Sequence, residues 1–99
     1  MNKKIDIIQR KKIRGYTLRT IADTYPRAVF DSAVAQGVIG YGWTVNPDIS
    51  EYTTYLVDKG YVEVIREAEN YGIREQLLKV TPKGIDLLEG TITDPGVEV

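Results

Sequence analysis

The order helix, hairpin, helix across residues 46–90 restricts the possible folds of this chain more than any other feature. Asn46-Pro47-Asp48 is a typical helix start, because Asn caps free amide groups, Pro suits the first helical position and Asp faces the positive end of the helix dipole. Gly60 predicts the end of that helix, since Gly adopts the left-handed C-cap conformation at little cost. We therefore expect a helix from about Pro47 to Lys59.

Residues 61–66 after this helix are rich in β-branched and aromatic side chains and are predicted to be a strand, and residues 73–80 make a second predicted strand. Residues 68–72 between them include Asn and Gly, so we expect a β-hairpin with its loop there. Thr81-Pro82 repeats the combination of a capping residue and a proline. A short helix is expected to follow and to end at Gly90.

The first half of the chain has weaker signals. Its apolar positions predict a helix from about Lys4 to Thr24, which Pro26 ends. Gly15 is a weak point at which this helix is expected to bend or split, because Gly disfavours a helix interior. Residues 28–30 are expected to form a short strand that pairs with the hairpin.

A second helix is expected after the short strand, with Asp31 or Ser32 as its N-cap. Its apolar face consists of Val34, Val38 and Ile39. Residues 40–45 then link it to the next helix through an unusually aromatic segment. In the second half of the chain, Leu56 and Leu88 lie on the apolar faces of their helices, so both are predicted to be buried.

The length and composition fit one small domain, with 99 residues and 42% hydrophobic content. We expect the domain to span residues 1–90, with residues 91–99 as a C-terminal tail that contains a turn at Asp94-Pro95-Gly96. A membrane span requires about 20 consecutive apolar residues, and the sequence has no such run. A cytoplasmic protein that does not contact a membrane is therefore expected.

Enzymatic chemistry has little support in the composition. The chain has no cysteine, which excludes a disulfide and a thiolate metal site, and no histidine, the usual general base and the commonest metal ligand. Gly40-Tyr41-Gly42 lacks the third glycine of a dinucleotide-binding motif. We therefore expect neither an enzyme nor a bound metal or cofactor.

Two short motifs give the chain a family resemblance. In residues 56–62, a Leu precedes a Gly by four positions and two apolar residues follow. In residues 80–84, an apolar residue precedes Thr81, and Gly84 comes three positions later. These motifs, with a hairpin between them, resemble winged helix-turn-helix regulators of the MarR and PadR type and small winged-helix proteins of phage.

The resemblance implies an α+β fold, a winged helix-turn-helix with a three-helix core, a β-hairpin wing and a short C-terminal helix. It also implies a DNA-binding transcriptional regulator of a bacterium or phage, with duplex DNA as its partner. Regulators of this kind commonly act as homodimers. The N-terminal helix, the C-terminal segment or both are expected to form the dimer interface, with Tyr41, Trp43 and Leu77 partly exposed.

The charges are unevenly distributed along the chain. Eight basic and two acidic residues occur through Phe30, whereas five basic and twelve acidic residues occur from Asp31 onward. Because phosphate contacts supply most of the affinity for DNA, the N-terminal helix is the expected footprint, unless its charges are an ordinary solvated face. The predicted DNA-contacting residues are Lys11, Lys12, Arg14, Arg19, Ser50, Thr54, Arg66 and Arg74.

The expected recognition helix departs from the family pattern because its outward face is acidic. Asp48, Glu51 and Asp58 would repel phosphates, and the side chains that most often read bases are missing from that face. On the hairpin, Arg66 and Arg74 are expected to form salt bridges with neighbouring glutamates, each worth ~0.2–1 kcal/mol. The alternative function is therefore a winged-helix module that binds another protein and not DNA.

Overall fold

The structure is a computed structural model that describes residues 3–99, apart from the side chains of residues 3–5 and Asn70. Within this part of the chain, four helices and three strands follow in the order α1 (Lys3–Ala22), β1 (Val29–Phe30), α2 (Asp31–Gly40), α3 (Ser50–Asp58), β2 (Val62–Asn70), β3 (Ile73–Val80) and α4 (Pro82–Leu88). The strands form one antiparallel sheet, which confirms the expected α+β class. No helix in the described residues is long and apolar enough to cross a lipid bilayer.

The sheet has the order β1-β3-β2, with β3 in the centre. β2 and β3 form the predicted hairpin, and a bulge between Val64 and Arg66 shifts their register once. β1 is the short strand expected near residues 28–30, and it pairs with β3 through Val29 opposite Leu78 and Phe30 opposite Leu77. Both predictions are confirmed.

The hairpin closes in a tighter turn than the sequence predicted. Tyr71 and Gly72 have φ values of 52° and 77°, the left-handed conformation that both central residues of a type I′ turn adopt. Residues 68–70, expected in the loop, pair with residues 73–75 in the ladder. The prediction of a loop over residues 68–72 is wrong, because a two-residue turn matches the twist of the strands and allows pairing to continue up to the turn.

α3 begins three residues later than the signal at Asn46-Pro47-Asp48 predicted. The Asn46 Oδ1 accepts a hydrogen bond from the Asp48 N–H at 2.9 Å, and the Asp48 Oδ1 accepts one from the Ser50 N–H at 3.0 Å. Such local bonds between side chains and backbone compete with helix formation. Residues 46–50 therefore form two consecutive turns closed by side chains, in place of the expected first helical turn.

The N-cap predicted for α2 is also wrong. The helix begins at Asp31, and Phe30 occupies the N-cap position without a side-chain hydrogen bond. The Ser32 hydroxyl donates to Glu75 Oε1 at 2.9 Å instead of capping the helix. Because Phe30 still pairs with Leu77 in the sheet, the helix starts directly from the strand.

The other helix boundaries follow the sequence signals. Gly60 and Gly90 have φ values of 84° and 79°, the left-handed conformation, just beyond α3 and α4. At the start of α4, the Thr81 hydroxyl accepts a hydrogen bond from the Gly84 N–H at 3.1 Å. The predicted ends of α3 and α4 and the predicted cap of α4 are confirmed.

The core lies between the helices and the inner face of the sheet. Its buried hydrophobic residues are Ile13, Leu18, Ile21, Val34, Ala35, Val38, Ile49, Leu56, Tyr61, Val62, Leu78, Val80, Leu87 and Val97. Leu56 is buried as predicted, whereas Leu88 is only half-buried and Leu87 occupies the core position. The prediction for Leu88 is wrong because α4 directs Leu87, one position earlier in the helix, into the core. On α2, Ile39 is likewise half-buried.

α1 is one continuous helix, so it is not split at Gly15. A Cβ on Gly15 would overlap the backbone carbonyl of Glu98, so the missing side chain admits the end of the chain. Val97 is buried, and the Glu98 N–H donates to the Lys11 carbonyl at 3.1 Å. Residues 91–99, expected as a tail beyond residues 1–90, therefore pack against α1, because Val97 joins the core.

Candidate functional site

A groove separates the hairpin from the N-terminal ends of α2 and α3. The first part has a volume of about 220 Å³ and is lined by Asp31, Ser32, Pro47, Asp48, Ile49, Ser50, Thr53, Ile73, Arg74, Glu75 and Gln76. An adjoining part is lined in addition by Thr54 and Glu67. We refer to both parts together as the groove. Ile49 and Thr53 are buried and form its base.

Carboxylates dominate the charge of the groove. Its acidic residues are Asp31, Asp48, Glu67 and Glu75, and Arg74 is the one cation among its described lining residues. The Arg74 Nη2 lies 3.4 Å from Glu67 Oε2, so this cation is already paired. The groove is therefore negatively charged on balance, which attracts cations and repels phosphates.

Hydrogen bonds hold two of these carboxylates in place. Glu75 Oε1 accepts the bond from the Ser32 hydroxyl at the start of α2. Asp48 Oδ1 accepts bonds from both the hydroxyl and the N–H of Ser50. These bonds lower the pKa of Asp48 below its ordinary value of 3.8, because they favour the ionised form. Asp48 is therefore charged at neutral pH.

The exposed face of α3 combines hydroxyl and carboxylate groups. Ser50 and Thr54, two of the predicted DNA-contacting residues, are exposed and line the groove. Glu51 and Asp58 are exposed on the same helix. Hydroxyl groups can donate hydrogen bonds to phosphates, but the neighbouring carboxylates oppose the approach of an anion.

The two predicted hairpin contacts lie on different faces of the sheet. Arg74 lines the groove. Arg66 is paired with Leu77, which neighbours the buried Leu78 on β3 and so lies on the opposite face. Arg66 therefore points away from the groove, and the hairpin does not present both cations to one ligand.

Two predicted contacts on α1 are engaged by the C-terminal segment. The Lys12 Nζ lies 2.7 Å from Glu98 Oε1. The Arg14 guanidinium lies 3.8 Å from the centre of the Tyr55 ring, and its Nη1 donates to the Gly96 carbonyl at 3.1 Å. Lys12 and Arg14 thus hold the end of the chain against the domain, and neither lines the groove.

The other two predicted contacts on α1, Lys11 and Arg19, also lie outside the groove lining; Lys11 is half-buried and Arg19 is exposed. Arg10 pairs with a carboxylate of α3, with its Nε 3.6 Å from Glu51 Oε1. Exposed pairs of this kind contribute about 0–1 kcal/mol. The basic helix therefore lies beside α3, but a carboxylate of α3 faces it there.

Sequence reasoning did not bring the acidic groove residues together. The sequence offers Asp31 as a helix cap, Asp48 as part of a helix start with an acidic outward face, and Glu67 and Glu75 as exposed hairpin residues. Pairing of β1 with β3 brings the start of α2 to the hairpin, and this contact between distant parts of the chain assembles the site. No local pattern carries that information.

Apolar side chains border the groove at the hairpin end. Tyr71 is fully exposed, and Ile73 is 67% exposed. Together with Ala68 and Glu75 they line a hollow of about 200 Å³ next to the groove. Exposed aromatic and aliphatic side chains next to polar groups are typical of surfaces that contact other proteins.

Another exposed apolar surface lies where the segment between α2 and α3 meets α1. The Tyr41 ring stacks on Tyr16 with the ring centres 4.1 Å apart, and the Lys12 Nζ lies 5.1 Å from the centre of the Trp43 ring. Tyr41 and Trp43 remain 43% and 38% exposed, and Leu77 is half-buried, which agrees with the partial exposure expected for all three. We refer to Tyr41, Trp43 and the neighbouring exposed Val45 as the aromatic surface.

In the part of the chain that the structure describes, no group of three or more acidic side chains is placed to hold a metal ion. No protein-family model, curated protein or solved structure matches the chain. The groove and its charges are therefore the basis for a functional assignment.

Proposed function

We propose that this chain is a winged-helix module that binds a positively charged segment of another protein in the groove. The charge of the groove carries the proposal, since Asp31, Asp48, Glu67 and Glu75 outnumber the single Arg74. A partner of opposite charge is steered to such a surface, and a ligand of like charge is excluded.

The order of the elements supports the winged-helix assignment. In this assignment α2 and α3 are the helix-turn-helix pair, and β2 and β3 are the wing. β1 pairs with β3, as the short first strand of a winged helix pairs with its wing. α3 is then the recognition helix, and the groove lies between this helix and the wing, where a winged helix meets its ligand.

Duplex DNA is a poor ligand for this surface. DNA has one negative charge per about 1.7 Å of helix axis, and proteins gain affinity for it when Lys and Arg displace counterions. Glu51 and Asp58 add two exposed carboxylates to α3, the helix that would enter the major groove. An acidic surface would not displace the counterions of the DNA, and it would repel the phosphates.

DNA binding by a transcriptional regulator is the second candidate, and α1 favours it. This helix carries the predicted contacts Lys11 and Arg19 together with Arg10, and it packs beside α3. Dimerisation would double the number of phosphate contacts.

Removal of groove carboxylates separates the two candidates, because the expected effects have opposite signs. The variant combines Glu67→Gln and Glu75→Gln. Its affinity for a lysine-rich peptide is expected to fall, because two attracting charges are lost. Its affinity for duplex DNA of random sequence is expected to rise or stay very low, because two charges that repel phosphates are lost. Fluorescence anisotropy over a series of salt concentrations measures both.

The double variant Glu63→Gln and Glu89→Gln is the matched control, since both residues are exposed and neither lines the groove. This variant removes the same charge and is expected to leave the peptide affinity unchanged. Peptide binding that is equally strong in the groove double variant and the wild type would contradict the proposal. So would wild-type protein that binds the duplex more tightly than the peptide at every salt concentration.

A further inference from the structure

Over residues 73–76, one edge of β3 has no neighbouring strand among the residues that the structure describes. β1 pairs only with Leu77 and Leu78, and the chain then turns into α2 at Asp31. β2 covers the opposite edge of β3 along the whole hairpin. The open stretch contributes four lining residues to the groove, so it forms one of the groove walls.

The backbone of this stretch can pair with another chain. In an antiparallel ladder, alternate residues direct both their N–H and their C=O to the same edge of the strand. About two of the residues in 73–76 therefore present a donor and an acceptor on the side where β1 pairs further along β3. An open strand edge of this kind is a template for an added strand.

We propose that the groove binds an extended segment of the partner as an added strand, antiparallel to β3 and in line with β1. This inference rests on the proposed function and specifies its binding mode. Hydrogen bonds from the β3 backbone supply the pairing, and the side chains that alternate along the segment supply the specificity. The open edge is about 13 Å long, which matches about four extended residues.

The residues that line the groove determine which side chains the bound segment is expected to carry. Gln76 lies on the same face of β3 as the buried Leu78, whereas Ile73 lies on the other face. Side chains of the added strand alternate in the same way. Those on the side of Gln76 meet Asp48 and Glu67 and are therefore basic. Those on the side of Ile73 meet the Ile73 side chain beside Glu75, whose carboxylate already accepts a hydrogen bond from Ser32, and are aliphatic.

The outer edge of β2 is a poorer template. The bulge between Val64 and Arg66 interrupts its regular pattern of hydrogen-bonding groups. Exposed charged residues also follow closely along the strand: Glu63, Arg66, Glu67 and Glu69. Bulges and charges are the features by which edge strands avoid pairing. Charge complementarity therefore favours the β3 edge, which faces the acidic groove.

The test uses a seven-residue peptide of alternating lysine and valine and the full ¹⁵N-labelled chain at low salt. Two control peptides have N-methyl groups on all valines or on all lysines. In an added strand only alternate residues direct their N–H to β3, so one of the two controls is expected to lose affinity and the other to keep it. The loss is expected to be about tenfold or more, corresponding to about two backbone hydrogen bonds.

NMR resonances locate the peptide. Shifts of the amide resonances of residues 73–76, with slower hydrogen exchange there, are expected with the unmethylated peptide. Ile73→Lys places a positive charge on the open edge and is expected to weaken binding, because Ile73 is 67% exposed and lines the groove. Ile65→Lys makes the same change at a residue of β2 that is 49% exposed and does not line the groove, and it is expected to bind like the wild type.

The outcomes separate the binding mode from the function. If all three peptides bind equally and binding still depends on Glu67 and Glu75, strand addition is overturned and the proposed function stands. If no peptide binds, or if the shifts lie only outside the groove, both are overturned.

Discussion

Gly15 of α1 and Glu98 near the C-terminus are in direct backbone contact. The carbonyl of Glu98 occupies the space that a Cβ on residue 15 would fill. One turn earlier on the same helix, the Lys11 carbonyl accepts a hydrogen bond from the Glu98 N–H. Gly disfavours a helix interior by about 1 kcal/mol relative to Ala, and at this position it is the residue that lets the end of the chain reach the helix.

Gly15→Ala is therefore expected to lower the free energy of unfolding by about 1–3 kcal/mol, because the overlap with Glu98 forces the backbone to move. Urea denaturation measures the change. Gly40→Ala is the matched control, since no atom lies within 4 Å of a Cβ built there and the helical propensity rises. This control is expected to be neutral or slightly stabilising. Equal stability of the two variants would contradict the contact.

Tyr61→Phe tests a second contact of the C-terminal segment. Tyr61 is buried, and its hydroxyl donates to Asp94 Oδ2 at 2.6 Å. Burial and this bond raise the pKa of Tyr61 to about 12. Removal of the hydroxyl is expected to lower the free energy of unfolding by about 1–3 kcal/mol. Tyr71→Phe, at the fully exposed hairpin turn, is expected to have no effect in the same denaturation experiment.

The carboxylate of Asp94 is expected to contribute to the pH dependence of the free energy of unfolding. Burial raises the pKa of Asp94, but hydrogen bonds from Tyr61, the Gly96 N–H and Lys59 lower it below 3.8 on balance. Because the pKa is lower in the folded chain than in the unfolded chain, Asp94 stabilises the fold above about pH 3.8, and this contribution is lost as the pH falls through the folded pKa.

Asp94→Asn is therefore expected to lose less stability than the wild type on acidification below pH 3.8. Urea midpoints measured from neutral to acidic pH check this. Asp48 also has a lowered pKa, so the variant is expected to keep part of the slope. Parallel pH profiles of variant and wild type would rule out the role of Asp94.

Alanine substitutions test the orientation of α4. Leu87→Ala, like Leu56→Ala, is expected to cost about 2–5 kcal/mol, because both side chains are buried. Leu88→Ala is expected to cost less, since Leu88 is half-buried. Thermal and urea unfolding of the three variants measure the difference. A larger loss for Leu88→Ala than for Leu87→Ala would mean that α4 presents the other leucine to the core.

Signals that act within a few residues predicted much of the fold. Thr81-Pro82 and Gly60 mark boundaries through bonds and backbone angles that belong to their own segment, so their effect can be read without tertiary structure. Asn46-Pro47-Asp48 failed as a helix start for a related reason. Its side chains have two local uses, capping and turn formation, and the sequence does not distinguish them.

The groove and the position of the C-terminal segment depend on contacts between distant residues. Helix propensity marks Gly15 as a weak point, yet its contact is with Glu98 at the other end of the chain. Likewise, the sequence identifies Lys12 and Arg14 as cations on a helix, but it does not reveal that the C-terminal segment engages both. The positions of Lys12 and Arg14 in the sequence therefore did not reveal that contacts within the chain engage both side chains.

Self-association of the chain depends on the surfaces that the fold leaves exposed. The sequence offered α1 and the C-terminal segment as dimer interfaces, but the C-terminal segment packs against α1 within the chain, with Val97 buried. The aromatic surface beside α1 leaves Tyr41 43%, Trp43 38% and Val45 88% exposed. Burial of such side chains stabilises a dimer by about 25 cal/mol per Å² before the entropic cost of association. We therefore expect a homodimer that buries α1 and the aromatic surface.

Sedimentation at micromolar concentration is expected to give twice the 11.2 kDa mass of the chain. Val45→Lys should shift the equilibrium toward the monomer, because it places a charge in the interface without disturbing the core. Tyr71→Lys, on the exposed hairpin turn, controls for the added charge and is expected to leave the dimer intact. A wild-type chain that sediments only at 11.2 kDa would exclude this dimer. A dimer whose association is unchanged by Val45→Lys would exclude this interface, because burial of a lysine there is expected to weaken association.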